Sequence, residues 1–246
     1  MHRGEPGTRI AALTIAGLAT MGGCGTRKSI TPVVMRHGAD VPMTMAVAPA
    51  WNFSGSTGLD VNRAADLMAS ELTYAEGVSV VPVSRVLGIL AAQGVDRVQS
   101  PDHAMELAEL LGADLVLVFA VTEYDPYDPP SIGISAQLYG TRPGPRGGTL
   151  DPVALSRQVA LGPSRPAPVS RGLIASCQRV FDSAHDAVVA DLQRFAAKRG
   201  GDDSPWGWRK YMVSQQHYLR FCCYATAEAL LTDLAGSEAP SASDTP

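Results

Sequence analysis

The side chains of this chain that could do chemistry are few and scattered. His37, His103, His185 and His217 lie far apart and show neither the His-x-x-x-His spacing of a metal pair nor His-Glu-x-x-His. Ser183, His185 and Asp186 carry the letters of a hydrolytic triad. The apolar periodicity around them reads as one helix, on which the three point in different directions, so a solvated helical face is expected. Ser54-Gly55-Ser56-Thr57-Gly58 lacks the lysine that a phosphate-binding loop requires. Asp125 and Asp128 offer carboxylates to Ca²⁺, but such a site takes about six or more oxygens and the prolines around them supply no such ladder. The expectation is no catalytic residue, no metal ligand and no enzyme activity.

Cysteine is more informative. Arg3 and Arg9 precede an uncharged run from Ile10 to Met21, the layout of a signal peptide. That run is about a dozen residues, and a bilayer-spanning helix needs roughly twenty, so it is too short for a permanent anchor. Met21-Gly22-Gly23-Cys24 resembles a lipobox: an apolar residue, two small ones and the cysteine that takes lipid, with Met21 where Leu is usual. The resemblance implies a signal peptide at 1–23 that is removed, a tether at 24–42, and no cofactor other than covalent lipid on Cys24. Several acyl chains give stable anchoring where one would be marginal. Gly25 is not the Asp that retains many such proteins at the inner membrane, which implies the outer membrane and a domain facing the periplasm. Of four cysteines, Cys177, Cys222 and Cys223 remain. Cys222 and Cys223 are neighbours in a helical pattern, where a vicinal disulfide is strained, so they read as small apolar residues of a helix interface. A bridge from Cys177 to either is the alternative that an oxidising compartment permits.

With 46% hydrophobic and 18% charged residues in 246, the chain can bury a substantial core. The formal charge is -4, and loss of Arg3, Arg9 and Glu5 with the signal peptide leaves -5, so nothing recommends nucleic acid as a partner.

The elements that must position any site follow from periodicity. Met43 to Ala48 reads as a buried strand closed by Pro49. Trp51 to Gly58 reads as a loop, and Ala64, Leu67, Met68 and Leu72 recur at helical spacing with Arg63, Asp66 and Glu71 between them, an amphipathic helix ended by Gly77. Val78 to Val83 is a second strand, leading to a helix over Arg85 to Gln93 with Ser84 as N-cap. Ser100-Pro101 starts another helix that Gly112 stops. Asp114 to Tyr124 is the strongest strand signal and should be central in the sheet, and Ile132 to Leu138 alternates as an antiparallel neighbour. Leu155 to Leu161 is a candidate edge strand, and Arg165-Pro-Ala-Pro a linker. From Leu173 the spacing of Ile174, Cys177, Phe181, Ala184, Val188, Leu192 and Phe195 predicts one long helix, followed after a break by a helix from Trp208 to Leu234. The tail from Gly236 reads as disordered. The expected fold is α/β: a small mixed sheet of about 4–5 strands at 43–200, packed with helices, and a C-terminal helix at 201–235.

Three stretches go further: Met45-Ala-Val-Ala-Pro-Ala-Trp-Asn-Phe-Ser-Gly, Val80-Val-Pro-Val-Ser-Arg-Val and Ala108-Glu-Leu-Leu-Gly-Ala-Asp-Leu-Val-Leu-Val. Together they resemble a family of envelope lipoproteins that includes the curli-secretion lipoprotein CsgG, the penicillin-binding-protein activator LpoB and the amino-terminal domain of TolB. The resemblance spans about residues 43 to 140 and rests on capping, turn and core residues, none catalytic. It implies a TolB-N/CsgG-like α/β domain used as a docking platform. A pore needs long alternating strands, whereas Tyr124 to Leu161 is broken by Pro126, Pro129, Pro130, Pro143, Pro145 and Pro152. No propeller blades follow the domain.

Trp51, Phe53, Tyr124 and Tyr127, with Trp206 and Trp208, are aromatics in or beside loops, the composition of binding anchors when exposed. The function expected is that of a non-enzymatic adaptor, anchored to the membrane by its lipid, that docks another envelope protein or copies of itself through the Trp51, Phe53, Tyr124 and Tyr127 loops. A part in a curli-type secretion or assembly apparatus is the alternative, and a small-ligand binding protein a third.

Overall fold

The computed structural model describes residues 42–140, 172–201 and 205–238, with Met1 and Met35. Cys24, most of the 24–42 tether, the Leu155–Leu161 strand, the Arg165-Pro-Ala-Pro linker and the tail beyond Glu238 lie outside the described residues. The strands are β1 (Met43–Val47), β2 (Trp51–Asn52), β3 (Val78–Val80), β4 (Leu115–Asp125), β5 (Ser131–Gly140) and β6 (Leu173–Asp182). The helices are α1 (Val61–Leu72), α2 (Val83–Ala92), α3 (Pro101–Leu111), α4 (Asp186–Lys198), α5 (Lys210–Val213) and α6 (Gln215–Glu238), with a 3-10 turn at Gly207–Arg209.

The strands form one mixed sheet in the order β3-β1-β4-β5-β6, with β2 also paired to β4. β3, β1 and β2 belong to the parallel half, and β5 and β6 are antiparallel. On one face Ala46, Val116, Val118 and Tyr139 meet Leu90 of α2 and Leu107 and Leu111 of α3. On the other Met45, Leu117, Phe119, Ile134 and Leu138 meet α1, α4 and α6. β4 is therefore covered on both sides, which is why its sequence is almost continuously apolar. α3 begins and ends as its sequence dictates: the Ser100 hydroxyl accepts the His103 N–H, Pro101 fills the first turn, and Gly112 closes it at φ 65°.

Several expectations are corrected. The sheet has six strands among the described residues, because Trp51–Asn52 is a short strand and not loop, and Leu173–Asp182 is a strand and not the first half of a helix. β6 hides its period because Arg179 stands in the row with Cys177 and Phe181 that faces the core, laying its guanidinium 5.0 Å from the Phe181 ring centre. The helix predicted from there begins only at Asp186. Ser183 lies in the turn before it and is buried, whereas His185 is exposed and paired with Asp182, so the triad letters do not share a helix. α2 starts at Val83 with Pro82 at the cap position, so Ser84 caps nothing; the earlier start buries Val83. α1 ends at Leu72 with Thr73 as its cap, and Gly77 (φ 75°) serves the turn into β3. Of the three charged residues between the apolar positions of α1, Arg63 and Asp66 are exposed and Glu71 is fully buried. The last helix is broken at Ser214, whose carbonyl accepts the Tyr218 N–H at 2.9 Å, and α6 then runs through Gly236 to Glu238. Its Tyr218, Phe221 and Cys222 belong to the same core as α1, β5 and β6. Within the segment read as tether, Met35 is already joined to the sheet edge: its N–H donates to the Tyr74 carbonyl at 2.9 Å and its carbonyl accepts from Glu76 at 3.0 Å.

Candidate docking site

The four loop aromatics separate into three environments. The indole N–H of Trp51 donates to the Val98 carbonyl at 3.1 Å, its ring stacks on Phe53 at 5.6 Å, and Arg97 lies 4.7 Å above it. Both aromatics are half-buried, so this pair caps the layer formed by α2 and α3 and does not project as a free anchor. The loop that follows is organised by Asn52, whose carboxamide oxygen accepts from the Ser54 N–H (3.1 Å) and hydroxyl (2.8 Å), while its nitrogen donates to the Ser56 carbonyl (2.7 Å).

Tyr124 is turned inward by a bulge. The register of β4 against β5 shifts between Val121 and Glu123, so Tyr124 falls opposite Ile132 and continues the Phe119 and Val121 face. One extra residue reverses the parity of a strand. Tyr124 is half-buried against the core, and that burial pushes its phenol above the ordinary value.

Tyr127 behaves differently. It is 76% exposed, and with Pro126 and Asp128 it forms one wall of a groove of about 510 Å³. The opposite wall comes from Trp208, Met212 and Val213, with Arg209 and Gln215 completing the lining. Val213 is 75% exposed, and Trp206, two residues before Trp208, is 69% exposed. The Tyr127 member of the predicted set is thus joined by Trp208, while Met212 and Val213 are residues that sequence reasoning missed. The only signal for them was the Trp206-Gly-Trp208 pair beside a chain break.

Local structure explains why this wall points outward. Gly207 takes φ 54° as the first residue of the 3-10 turn, α5 is a single turn of four residues, and Ser214 is extended (φ -100°, ψ 114°). Tyr211 nails α5 down: it is buried and meets Phe195 edge-on at 5.3 Å. With Tyr211 directed inward, Met212 stays half-buried and Val213 exposed. His217, edge-on to Tyr211 at 5.4 Å, is pushed below its ordinary value by burial and then by the cations Lys210 and Arg220.

The other reactive groups are placed for packing. Cys177, Cys222 and Cys223 are free thiols. Burial pushes all three up, most strongly the fully buried Cys222 and Cys223, which holds them as thiols and not as nucleophilic thiolates. Among the described residues no group of three or more His, Cys, Asp or Glu is placed to hold a metal ion, and no helix is long and apolar enough to cross a membrane.

No family model matches the chain, and no curated protein matches it. Solved structures similar to it include the lipoprotein GNA1162 from Neisseria meningitidis, at TM-score 0.39 and 19% identity over 67% of this chain and 99% of that one. The LpoB C-terminal domain from Salmonella enterica is similar at TM-score 0.39 and 16% identity, over 59% of this chain and 86% of that one. The PelC dodecamer from Paraburkholderia phytofirmans gives TM-score 0.34 and 13% identity over 80% and 94% of the two chains. At such scores and identities none of these likenesses assigns a function.

Proposed function

We propose that this chain is a non-enzymatic adaptor of the cell envelope, anchored by lipid on Cys24 to the outer membrane and facing the periplasm, whose groove between Tyr127 and Trp208 docks another envelope protein. The observation that carries the docking half is the groove itself. Tyr127 and Val213, which line it, and Trp206, two residues before Trp208, are each more than two-thirds exposed, more than the exposed Leu110 (51%) and Val180 (55%) elsewhere on the domain. Clustered exposed apolar groups mark interaction sites, and Trp, Tyr and Arg are the residues on which binding energy concentrates. The anchor half rests on the Met21-Gly22-Gly23-Cys24 pattern and on Gly25. Kinship with the CsgG and TolB amino-terminal group is supported by where its three stretches fall, on β1 to β2, β3 to α2 and α3 to β4, which together build the parallel half of the sheet.

Two measurements test this. Cys24→Ala should abolish lipid labelling and move the protein to the soluble fraction; retention on the membrane refutes the anchor. A photo-crosslinking amino acid at Val213 of the full chain, used in cells, should give a discrete product with another envelope protein. Trp208→Ala should lower its yield in line with the loss of a hot spot, about 2 kcal/mol or roughly 30-fold in affinity. The absence of any product refutes docking at this groove.

A further inference from the structure

The connections of the parallel strands change sides at β1. β1 is joined to β3 through α1, which packs on the Met45 and Val47 face, and β3 is joined to β4 through α2 and α3, whose Leu90 and Leu107 lie on the Ala46 face. β1 and β3 are parallel neighbours, so their carboxyl ends lead into crossovers on opposite faces. Such a divergence opens a crevice beyond the strand ends, which is where open α/β sheets hold their ligands. The crevice encloses about 370 Å³, within the roughly 300 to 1,000 Å³ of small-molecule sites. It shares no lining residue with the groove between Tyr127 and Trp208.

Its lining grades from apolar to polar. Pro49 and Ala50, just past β1, and Leu90 of α2 are buried, and Val61, Leu87 and Val95 are half-buried. The polar part is Asn62 and Asp96, both exposed, and the half-buried Arg97. The two charges neutralise each other: Asp96 accepts from Nε and one terminal nitrogen of Arg97, whose guanidinium is held 4.7 Å above the Trp51 ring. The amino end of α1, which would attract an anion, is closed by Asp60, whose carboxylate accepts the Asn62 and Arg63 N–H groups at 3.0 Å. Among the described residues the Asn62 carboxamide and the Arg97 Nη1 meet no hydrogen-bond partner. A charged occupant would find no counter-ion here, whereas an amide or hydroxyl would find both a donor and an acceptor.

We propose that this crevice binds a small uncharged molecule with an apolar body and an amide or hydroxyl end. The body lies against Ala50, Leu87 and Leu90, and the polar end meets Asn62 and Arg97. The site is separate from protein docking at the groove, so either can fail alone.

The probes for the test are phenylacetamide and phenylacetate, which share a skeleton and differ in charge. Each is titrated into the full-length lipidated protein in detergent micelles, with the leucine and valine methyl groups followed by NMR. Phenylacetamide should give saturable shifts at Val61, Leu87, Leu90 and Val95 and none at Val213. Phenylacetate should bind at least about tenfold more weakly, for want of a counter-ion. Ala91→Trp, which fills the crevice from α2, should remove the shifts and leave the circular dichroism spectrum unchanged. Asn62→Ala, at an exposed position, should weaken phenylacetamide by roughly three- to tenfold, the loss of one hydrogen bond. The proposal is overturned if phenylacetamide causes no saturable shift, if its shifts are as large at Val213, or if phenylacetate binds as tightly. Undiminished binding in both variants overturns it as well.

Discussion

Arg199→Ala is expected to destabilise the folded protein by about 3 to 5 kcal/mol, because it strands a buried carboxylate. Glu71, from α1, is 0% exposed, and the Arg199 side chain just past α4 is only 12% exposed. Both outer nitrogens of the guanidinium meet the two carboxylate oxygens, and Arg220 of α6 approaches from a third side at 3.5 Å. Arg199 also lies 4.2 Å from the ring centre of Tyr74 and 5.0 Å from that of Phe195. One residue thus ties α1, α4 and α6 behind the sheet. Burial pushes the Glu71 carboxyl above its ordinary value of 4.5, and Arg199 and then Arg220 pull it back without offsetting the burial. A carboxyl raised in this way contributes stability that is present below its unfolded value and lost as pH rises through the folded one. Removing Arg199 raises it further, so the deficit of the variant should open as pH rises through that window and shrink in acid, where Glu71 takes up a proton. Urea denaturation near neutral pH and at about pH 4.5 measures both. Replacing the pair with apolar side chains, Glu71→Leu with Arg199→Met, should recover most of the loss, since Arg220 is 29% exposed and can turn to water. A double variant as unstable as Arg199→Ala alone would show that the cost comes from lost packing and not from the stranded charge.

That ion pair also marks how far the sequence could be read. Glu71 follows Met68 by three residues and Leu67 by four, which sets a charged group on the apolar face of α1, and its partner is 128 residues away, a distance that no local pattern reports. The parallel half of the sheet was legible because each element carries its own punctuation. β1 closes at Pro49, α3 opens on Ser100-Pro101 and closes on Gly112, and β4 is apolar on both faces. β6 was not legible, since its inward row includes the exposed Arg179, its outward row carries the apolar Val180, and a register shift against β5 between Leu138 and Tyr139 changes the parity at Ile174, leaving Ile174, Cys177 and Phe181 at spacings that a helix also produces. The groove was half legible. Tyr127 and Trp208 could be named as aromatics beside loops, but their meeting depends on a hairpin and a broken helix 81 residues apart in number, brought together by the packing of α5. Trp51 and Tyr124 show the opposite error. Loop position suggested anchors, whereas a hydrogen bond to Val98 holds one and a β-bulge turns the other into the core.

What seats α5, and so completes the groove, is Phe195, and Phe195→Ala is expected to cost about 3 to 5 kcal/mol. The ring is 2% exposed. Its centre lies 5.3 Å from Tyr211, 5.7 Å from Phe221 and 4.9 Å from Tyr224, so α4, α5 and α6 meet on this one side chain. Truncation leaves a cavity walled by three aromatic rings, which cannot collapse without shifting a helix, and it removes the edge-to-face contact that holds Tyr211. α5 is a single turn bounded by Gly207 and Ser214, with little else to fix it. Amide exchange over 207–214 should therefore rise more in this variant than exchange in β4, which is held from both faces. Phe195→Leu, which keeps most of the volume, should cost well under half as much and leave exchange over 207–214 near that of the unaltered protein. If Phe195→Ala loosened β4 and α5 equally, the ring would be serving the core at large, and the outward wall of Trp208, Met212 and Val213 would owe its position to some other contact.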